Sequence, residues 1–316
     1  MAVTPPKPLL LQPASVGARA RTRELIDAVD AACARLRHGD DAEALHDFRV
    51  ALRRLRSFVR AYKNHLPIGK HLRLAIGAVT GDTGSARDAE VALVWLRANH
   101  RHLDPRAQPG YYWMLGRLQG RLSGDQGAKV ESAVAAWEEL RTELSRRLKK
   151  PAGKHTNAPD FAGASAALIL EQVRDVERRL NQWQASDDPA LAHRTRIAGK
   201  RLRYMVETFK DSELAREGVA WLKQLQDDLG ELHDRQVMIE ELEQTADRAA
   251  QSVTSSGDPQ PDATHAGLAA LLRLARQQEQ QLHRKVRNRH LSQCSERLAP
   301  LHRLVDELQA LSAGQV

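Results

Sequence analysis

Residues 46–63, HDFRVALRRLRSFVRAYK, decide how this chain is read. At roughly 100° per residue, His46, Arg49, Arg53, Arg56 and Arg60 fall in one stripe roughly 80° wide. Leu45, Phe48, Leu52, Leu55, Val59, Tyr62 and Leu66 form an apolar stripe beside it. The pattern predicts a helix with a core face and a cationic face set edge to edge.

The stretch recurs as HRTRIAGKRLRYMVETF, beginning at His193. His46, Arg49, Val50, Ala51, Arg53, Arg54, Leu55 and Arg56 match His193, Arg196, Ile197, Ala198, Lys200, Arg201, Leu202 and Arg203, at a constant offset of 147 (His46 to His193). A solvated helix has no physical need to repeat its histidine and its cations in register. The duplicated face is therefore where function is sought.

Outward from these two stretches the chain reads as helix after helix. Apolar periodicity covers 15–37, with Leu25, Ile26, Val29, Ala32, Cys33 and Leu36 on one side. Asp40 or Asp41 is placed to cap the helix that runs to Leu66, before Pro67. A third element spans about 68–100, interrupted by GDTGSARD at 81–88; a turn at 102–110 leads to a fourth helix over about 111–149. KPAGKHTNAPD at 150–160 has proline, glycine and no apolar period, so it is a linker. The order then restarts: a helix over 161–184, a cap at Asp188 with Pro189 at the first helical position, the second His/Arg helix over 189–210, and a third element over about 213–249. Gly84, Asp88 and Val91 line up with Gly230, Asp234 and Val237. SVTSSGDPQPDAT at 252–264 reads as a disordered loop, and a final helix or pair over 265–313 is expected to break near Pro300.

No run of alternating β-branched residues appears, so no strand is assigned. The expected architecture is all-α. A flexible tail occupies 1–14, and the domain 15–313 is made of two sequence-related four-helix bundles, about 15–150 and 161–313. Their pseudo-twofold packing would bring the basic helices together. The length of 316 residues is enough to bury a core. A net charge of +8 and a pI near 9.7 point to a polyanionic partner: nucleic acid, anionic membrane or polyphosphate. No apolar run is long enough to span a membrane. Cys33 and Cys294 form neither a metal spacing nor a disulfide framework, and they read as idle thiols in a reducing, cytoplasmic setting.

Four segments together resemble a known family, the CHAD (conserved histidine α-helical) domain: HDFRVALRRLR at 46–56, HRTRIAGKRLRY at 193–204, TGSARDAEV at 83–91 and LQDDLGELHD at 225–234. The resemblance covers about 15–313. It implies two four-helix bundles around a basic central groove, binding of inorganic polyphosphate, and association with polyphosphate granules. An acidic ExExK-type strand of a joined triphosphatase domain is absent, so the chain looks like a stand-alone member. It departs from even duplication where Arg60 is answered by Glu207 and His233 by Arg87.

Polyphosphate carries roughly one negative charge per phosphate and no bases. Arginine forks suit it, since each donates two hydrogen bonds to one phosphate and stays charged. Helical spacing sets successive guanidinium groups about 5 Å apart along the axis. The expected binding set is His46, Arg49, Arg53, Arg56, Arg60, His193, Arg196, Lys200 and Arg203. Arg19, Arg23, Lys63, Arg284 and Lys285 are further candidates, with ordinary surface charge as the alternative for each. The two histidines are either phosphate donors or helix-packing side chains. No second metal ligand repeats in both halves, so neither a metal nor any other cofactor is expected. Arg54 and Arg201, with Asp88 and Asp234, read as salt bridges that position the basic helices, or the aspartates as caps after Gly84 and Gly230. All five tryptophans read as core.

No Walker, GxSxG or HExxH motif is present, so no catalysis is expected. Two other readings stand beside polyphosphate binding. A nucleic-acid-binding helical protein is disfavoured by 4% aromatic content, because single-strand binders stack bases on aromatic rings. A scaffold recruiting proteins to granules is compatible with the first reading. Sulfate or phosphate ions would serve as mimics of the polymer.

Overall fold

The structure, a computed structural model, describes residues 7–38, 43–81, 84–122, 126–150, 158–186, 188–256 and 261–314. Among them every regular element is a helix and none is a strand. In chain order they are α1 (Lys7–Leu10), α2 (Ala14–His38), α3 (Ala44–Ala61), α4 (Lys70–Gly81), α5 (Gly84–Asn99), α6 (Gln108–Leu122), α7 (Gln126–Leu148), α8 (Phe161–Gln184), α9 (Pro189–Val206), α10 (Glu213–Ser256), α11 (Pro261–His290) and α12 (Cys294–Ser312). No described helix is long and apolar enough to cross a membrane.

The duplication is visible in the helix starts. The offset of 147 carries the first residue of α2, Ala14, onto the first of α8, Phe161. It also carries buried positions onto buried positions: Ile26 onto Val173, Val29 onto Val176, Leu55 onto Leu202, Phe58 onto Met205 and Tyr62 onto Phe209. The two starts are tied to each other. Ala14 N donates to the Pro159 carbonyl at 2.9 Å, and Phe161 N donates to the Gln12 carbonyl at 2.8 Å. The same bond is thus made once in each direction around the Pro13–Asp160 bridge. Of the tail expected over 1–14, Lys7–Leu10 is helical and Pro13 is held in place, while 1–6 lie outside the described residues.

Caps set the entry to α8 and α9. The Asp160 carboxylate accepts from Gly163 N at 2.7 Å, and that of Asp188 from Ala190 N at 2.9 Å, with Pro189 in the first turn. Glu43 stands at the cap position of α3 and its side chain does not cap the helix; the expected caps Asp40 and Asp41 lie outside the described residues.

Two compact units form. One takes Met1–Asp82, Glu131–Gln226 and His290–Val316; the other takes Thr83–Val130 and Asp227–Arg289. Each draws on both sequence repeats, so these units are not the two halves separated by the 150–160 linker. Within the first unit the reason is clear. α2 packs on α3 and α8 on α9, but α2 also packs on α8 and α3 on α9. Tyr62, at the end of α3, lies against Phe161 of α8 with ring centroids 5.5 Å apart, and its hydroxyl meets Ser165 at 2.7 Å. The second unit has its own core, in which Trp95 and Leu96 of α5 and Met114 and Leu118 of α6 meet Met238, Leu242, Leu268 and Leu271 of α10 and α11.

Three boundaries differ from expectation. The helix expected over 111–149 is two, α6 and α7, with SGD at 123–125 between them, outside the described residues. The break expected near Pro300 falls instead at 291–293. Pro300 is buried inside α12, where its ring takes part in the core. The loop expected at 252–264 is shorter: α10 runs to Ser256 and α11 starts at Pro261, with 257–260 outside the described residues. Near the interruption expected at 81–88, α4 ends at Gly81 and α5 starts at Gly84, with 82–83 outside the described residues, whereas α10 runs through the equivalent Gly230.

Candidate functional site

Both His/Arg helices, α3 and α9, belong to the first unit and pack on each other. Phe48, Leu52, Leu55, Phe58 and Val59 bury one face of α3, as Thr195, Ala198, Leu202, Met205 and Val206 bury one face of α9. That burial fixes each helix's rotation and so leaves its basic side chains at the edge. His46, Arg56, Arg60 and Lys63 are exposed, and Arg49 and Arg53 are half-buried. His193 is exposed; Arg196, Lys200 and Arg203 are half-buried. The Nε atoms of Arg49 and Arg196, equivalent positions, are both shielded from solvent.

Among the described residues, no carboxylate pairs with Arg53, Arg56 or Arg60 within ion-pair distance. The Arg56 guanidinium passes close over Gly77 of α4, where an added Cβ would lie 3.2 Å from Cζ. Arg203 is different: its Nε lies 3.6 Å from Glu207 Oε1, and its guanidinium sits 5.1 Å from the Tyr204 ring centre.

Arg54 Nε donates to Glu207 Oε2 at 2.9 Å. The side chain of Asp88, expected beside Arg54, lies outside the described residues, and Asp234 belongs to the second unit. Arg201 is half-buried on α9 near Asp175 of α8. Burial first, and then Arg60, hold Arg201 below the usual arginine range, with Arg179 and Arg56 adding to this and Asp175 opposing it. An arginine read as a positioning residue thus stands in the field of two expected binding arginines.

Of the outlying candidates, Arg19 and Arg23 serve α7. Arg19 Nη1 donates to the Leu148 carbonyl at 3.3 Å and also to that of Lys150, and Arg23 Nη2 donates to Leu148 at 3.0 Å. They satisfy the carbonyls at the C-terminal end of α7, where cations complement the helix dipole. Lys285 pairs with Asp228 at 3.4 Å and Glu231 at 3.6 Å. It and the exposed Arg284 lie in the second unit. Trp113 is half-exposed, against its reading as core, while Trp95, Trp137, Trp183 and Trp221 are buried. Cys33 and Cys294 are buried free thiols, and burial pushes the Cys33 thiol up. No group of three metal-ligating side chains occurs among the described residues.

What the arrangement offers chemically is a set of guanidinium groups on two packed helices, with imidazoles at both N-terminal ends and, among the described residues of α3 and α9, no aromatic ring exposed for stacking. Such a surface suits an oxyanion polymer better than a base-bearing one. A duplicated histidine–arginine helix on an all-α scaffold defines the class, and the family follows from it. Residues 20–243 match the CHAD domain, and the chain belongs to that family. The crystal structure of the CHAD domain from the plant Ricinus communis resembles this one, with a TM-score of 0.62 and 25% sequence identity, covering 85% of this chain and 95% of that one. No curated protein matches the chain.

Proposed function

We propose that this chain binds inorganic polyphosphate without catalysis, on the cationic surface of α3 and α9, and that this binding takes it to polyphosphate granules in the cytoplasm. One observation carries the reading: Arg56 and Arg60, neither paired with a described carboxylate, lie in the field of Arg201 from the other repeat. Holding like charges together is unfavourable unless an anion joins them. The binding set is His46, Arg49, Arg53, Arg56 and Arg60 on α3 and His193, Arg196 and Lys200 on α9, with Arg201 added. Arg203 is held by Glu207 and contributes less. The histidines act as donors to phosphate oxygens.

Nucleic acid is the weaker partner because Phe48, Phe58, Tyr62 and Tyr204, the described aromatic side chains on or next to α3 and α9, are buried and so offer no stacking face. Titration of the full chain with long-chain polyphosphate at two salt concentrations tests the proposal. Affinity should fall steeply with salt through counterion release. The triple variant Arg49→Ala, Arg53→Ala, Arg56→Ala should lose binding while keeping its helical circular dichroism. Undiminished binding by that variant places the site elsewhere, and displacement by RNA at equal charge concentration favours the nucleic-acid reading.

A further inference from the structure

The repeat offset of 147 (Arg54 to Arg201) sets two equivalent trios of side chains on the packed pair α3 and α9, and the two differ in charge. The repeat offset maps Arg54 onto Arg201, Arg56 onto Arg203 and Arg60 onto Glu207. On one side of the helix pair the trio is Arg54, Arg203 and Glu207. Arg54 Nε reaches Glu207 Oε2 at 2.9 Å, and Arg203 Nε lies 3.6 Å from Oε1. One guanidinium therefore attends each carboxylate oxygen, and the Glu207 side chain is only 17% exposed. On the other side the equivalent trio is Arg201, Arg56 and Arg60, three cations with Asp175 near Arg201. Arg60 stands where the repeat would otherwise put the carboxylate.

Two guanidinium groups gripping the two oxygens of a carboxylate is also how arginines hold a phosphate edge-on. We propose that Glu207 is a built-in plug: its carboxylate fills, between Arg54 and Arg203, the position that a phosphate of the bound polymer fills among Arg56, Arg60 and Arg201. The two equivalent seats are thereby made unequal. One is occupied by the protein's own anion, and the other is left open to ligand. A cleft of about 610 Å³ lies beside the plugged seat, lined by Arg21, Arg54 and Lys210 and by Glu24, Asp27 and Glu207, so its cations are matched in number by carboxylates. At the positions equivalent to Asp27 and Glu207, the other side carries Arg174 and Arg60. Polyphosphate is thus seated on one side of the helix pair and not on the other, which gives a chain without direction a single seat.

The inference rests on the polyphosphate reading, and the experiment separates the two. Full-length wild type, Glu207→Gln and Arg60→Glu are titrated calorimetrically with tripolyphosphate, and with long-chain polyphosphate across a salt series. Glu207→Gln should raise the tripolyphosphate stoichiometry from one to two, bind the long chain several-fold tighter, and steepen the salt slope by about one to two, as expected for that many added phosphate contacts. Arg60→Glu, a change at an exposed position, should abolish the wild-type seat. Unchanged stoichiometry and slope in Glu207→Gln, with wild-type binding intact, overturn the plug alone. Should Glu207→Gln fail to fold, undiminished binding by Arg60→Glu overturns it equally. A wild type that binds neither ligand overturns the functional reading and the plug with it.

Discussion

Tyr62 shows how much a single hydroxyl can decide. It is buried at the end of α3, and burial pushes its phenol well above the usual range even though the Ser165 hydrogen bond and Arg21 act the other way. Ser165 donates its own proton to the Phe161 carbonyl at 2.5 Å, so the proton in the Tyr62–Ser165 bond belongs to Tyr62. The relay Tyr62 to Ser165 to Phe161 joins the first His/Arg helix to the first helix of the second repeat. Its two members are not equally dispensable. Tyr62→Phe removes a donor and leaves Ser165 still bonded to Phe161; a loss of about 1 kcal/mol is expected. Ser165→Ala leaves the Tyr62 hydroxyl dry and without an acceptor, and about 2–3 kcal/mol is expected. Urea unfolding of the two variants checks the order, and equal losses would show that water reaches the site. The same chemistry explains what reading residues from sequence missed. Arg54 was legible as a residue set off from the stripe, but its contact with Glu207 was not. Glu207 is 153 positions from Arg54, and only the repeat offset hints that the two meet.

Helices were legible from a sustained apolar period, as at α2 and α8, and from a period joined to a cap, as at α9. They were not legible where a helix end depends on what packs against it. Pro300 reads as a stop, yet it sits in α12 because α12 lies along α8 and buries Leu298, Leu301, Leu304 and Val305. Packing over a full face outweighs one lost backbone bond, which costs about 3 kcal/mol in a helix interior. Glycines divide in the same way. α6 and α11 approach backbone to backbone at Gly110 and Gly267; a Cβ on Gly267 would lie 2.6 Å from Gly110 N and 2.7 Å from the Ala107 carbonyl. Neither backbone can move aside without parting the helices. Gly116 and Gly120 of α6, by contrast, face open space. Gly267→Ala should therefore destabilise the second unit by about 3 kcal/mol or more. Gly120→Ala should stabilise α6 by about 0.5–1 kcal/mol, since it only improves helix propensity. Thermal unfolding followed by tryptophan fluorescence reads both, with Trp95 and Trp113 as reporters in that unit. Similar effects of the two substitutions would mean that α6 and α11 do not touch through these glycines.

Over the whole molecule, composition and duplication made the all-α class and the basic character evident, while the interleaving of both repeats within each compact unit was not. Interleaving depends on Tyr62 choosing Phe161 and on α3 choosing α9, contacts far apart in sequence that no local period encodes. The net charge of +8 has a consequence at this same scale. A cluster such as Arg56, Arg60 and Arg201 opposes folding when empty and is relieved when an anion binds, so stability and binding pull in opposite directions at the site. Long-chain polyphosphate at about a hundredfold over its Kd should add about 2.7 kcal/mol, which for a chain of this length is a Tm rise of roughly 4 °C. That rise should shrink as sodium chloride is added, because salt competes for the polyanion, whereas the ligand-free Tm should climb slightly as salt screens the cluster. Arg60→Gln separates the two effects. Relief of its repulsion with Arg201 should leave the ligand-free Tm equal to the wild type or above it, while the polyphosphate-induced rise falls. Differential scanning fluorimetry with and without polymer, at low and high salt, measures all four quantities. A variant whose ligand-free Tm drops while its polymer-induced rise is retained would make Arg60 a structural residue and move the binding surface away from the α3–α9 pair.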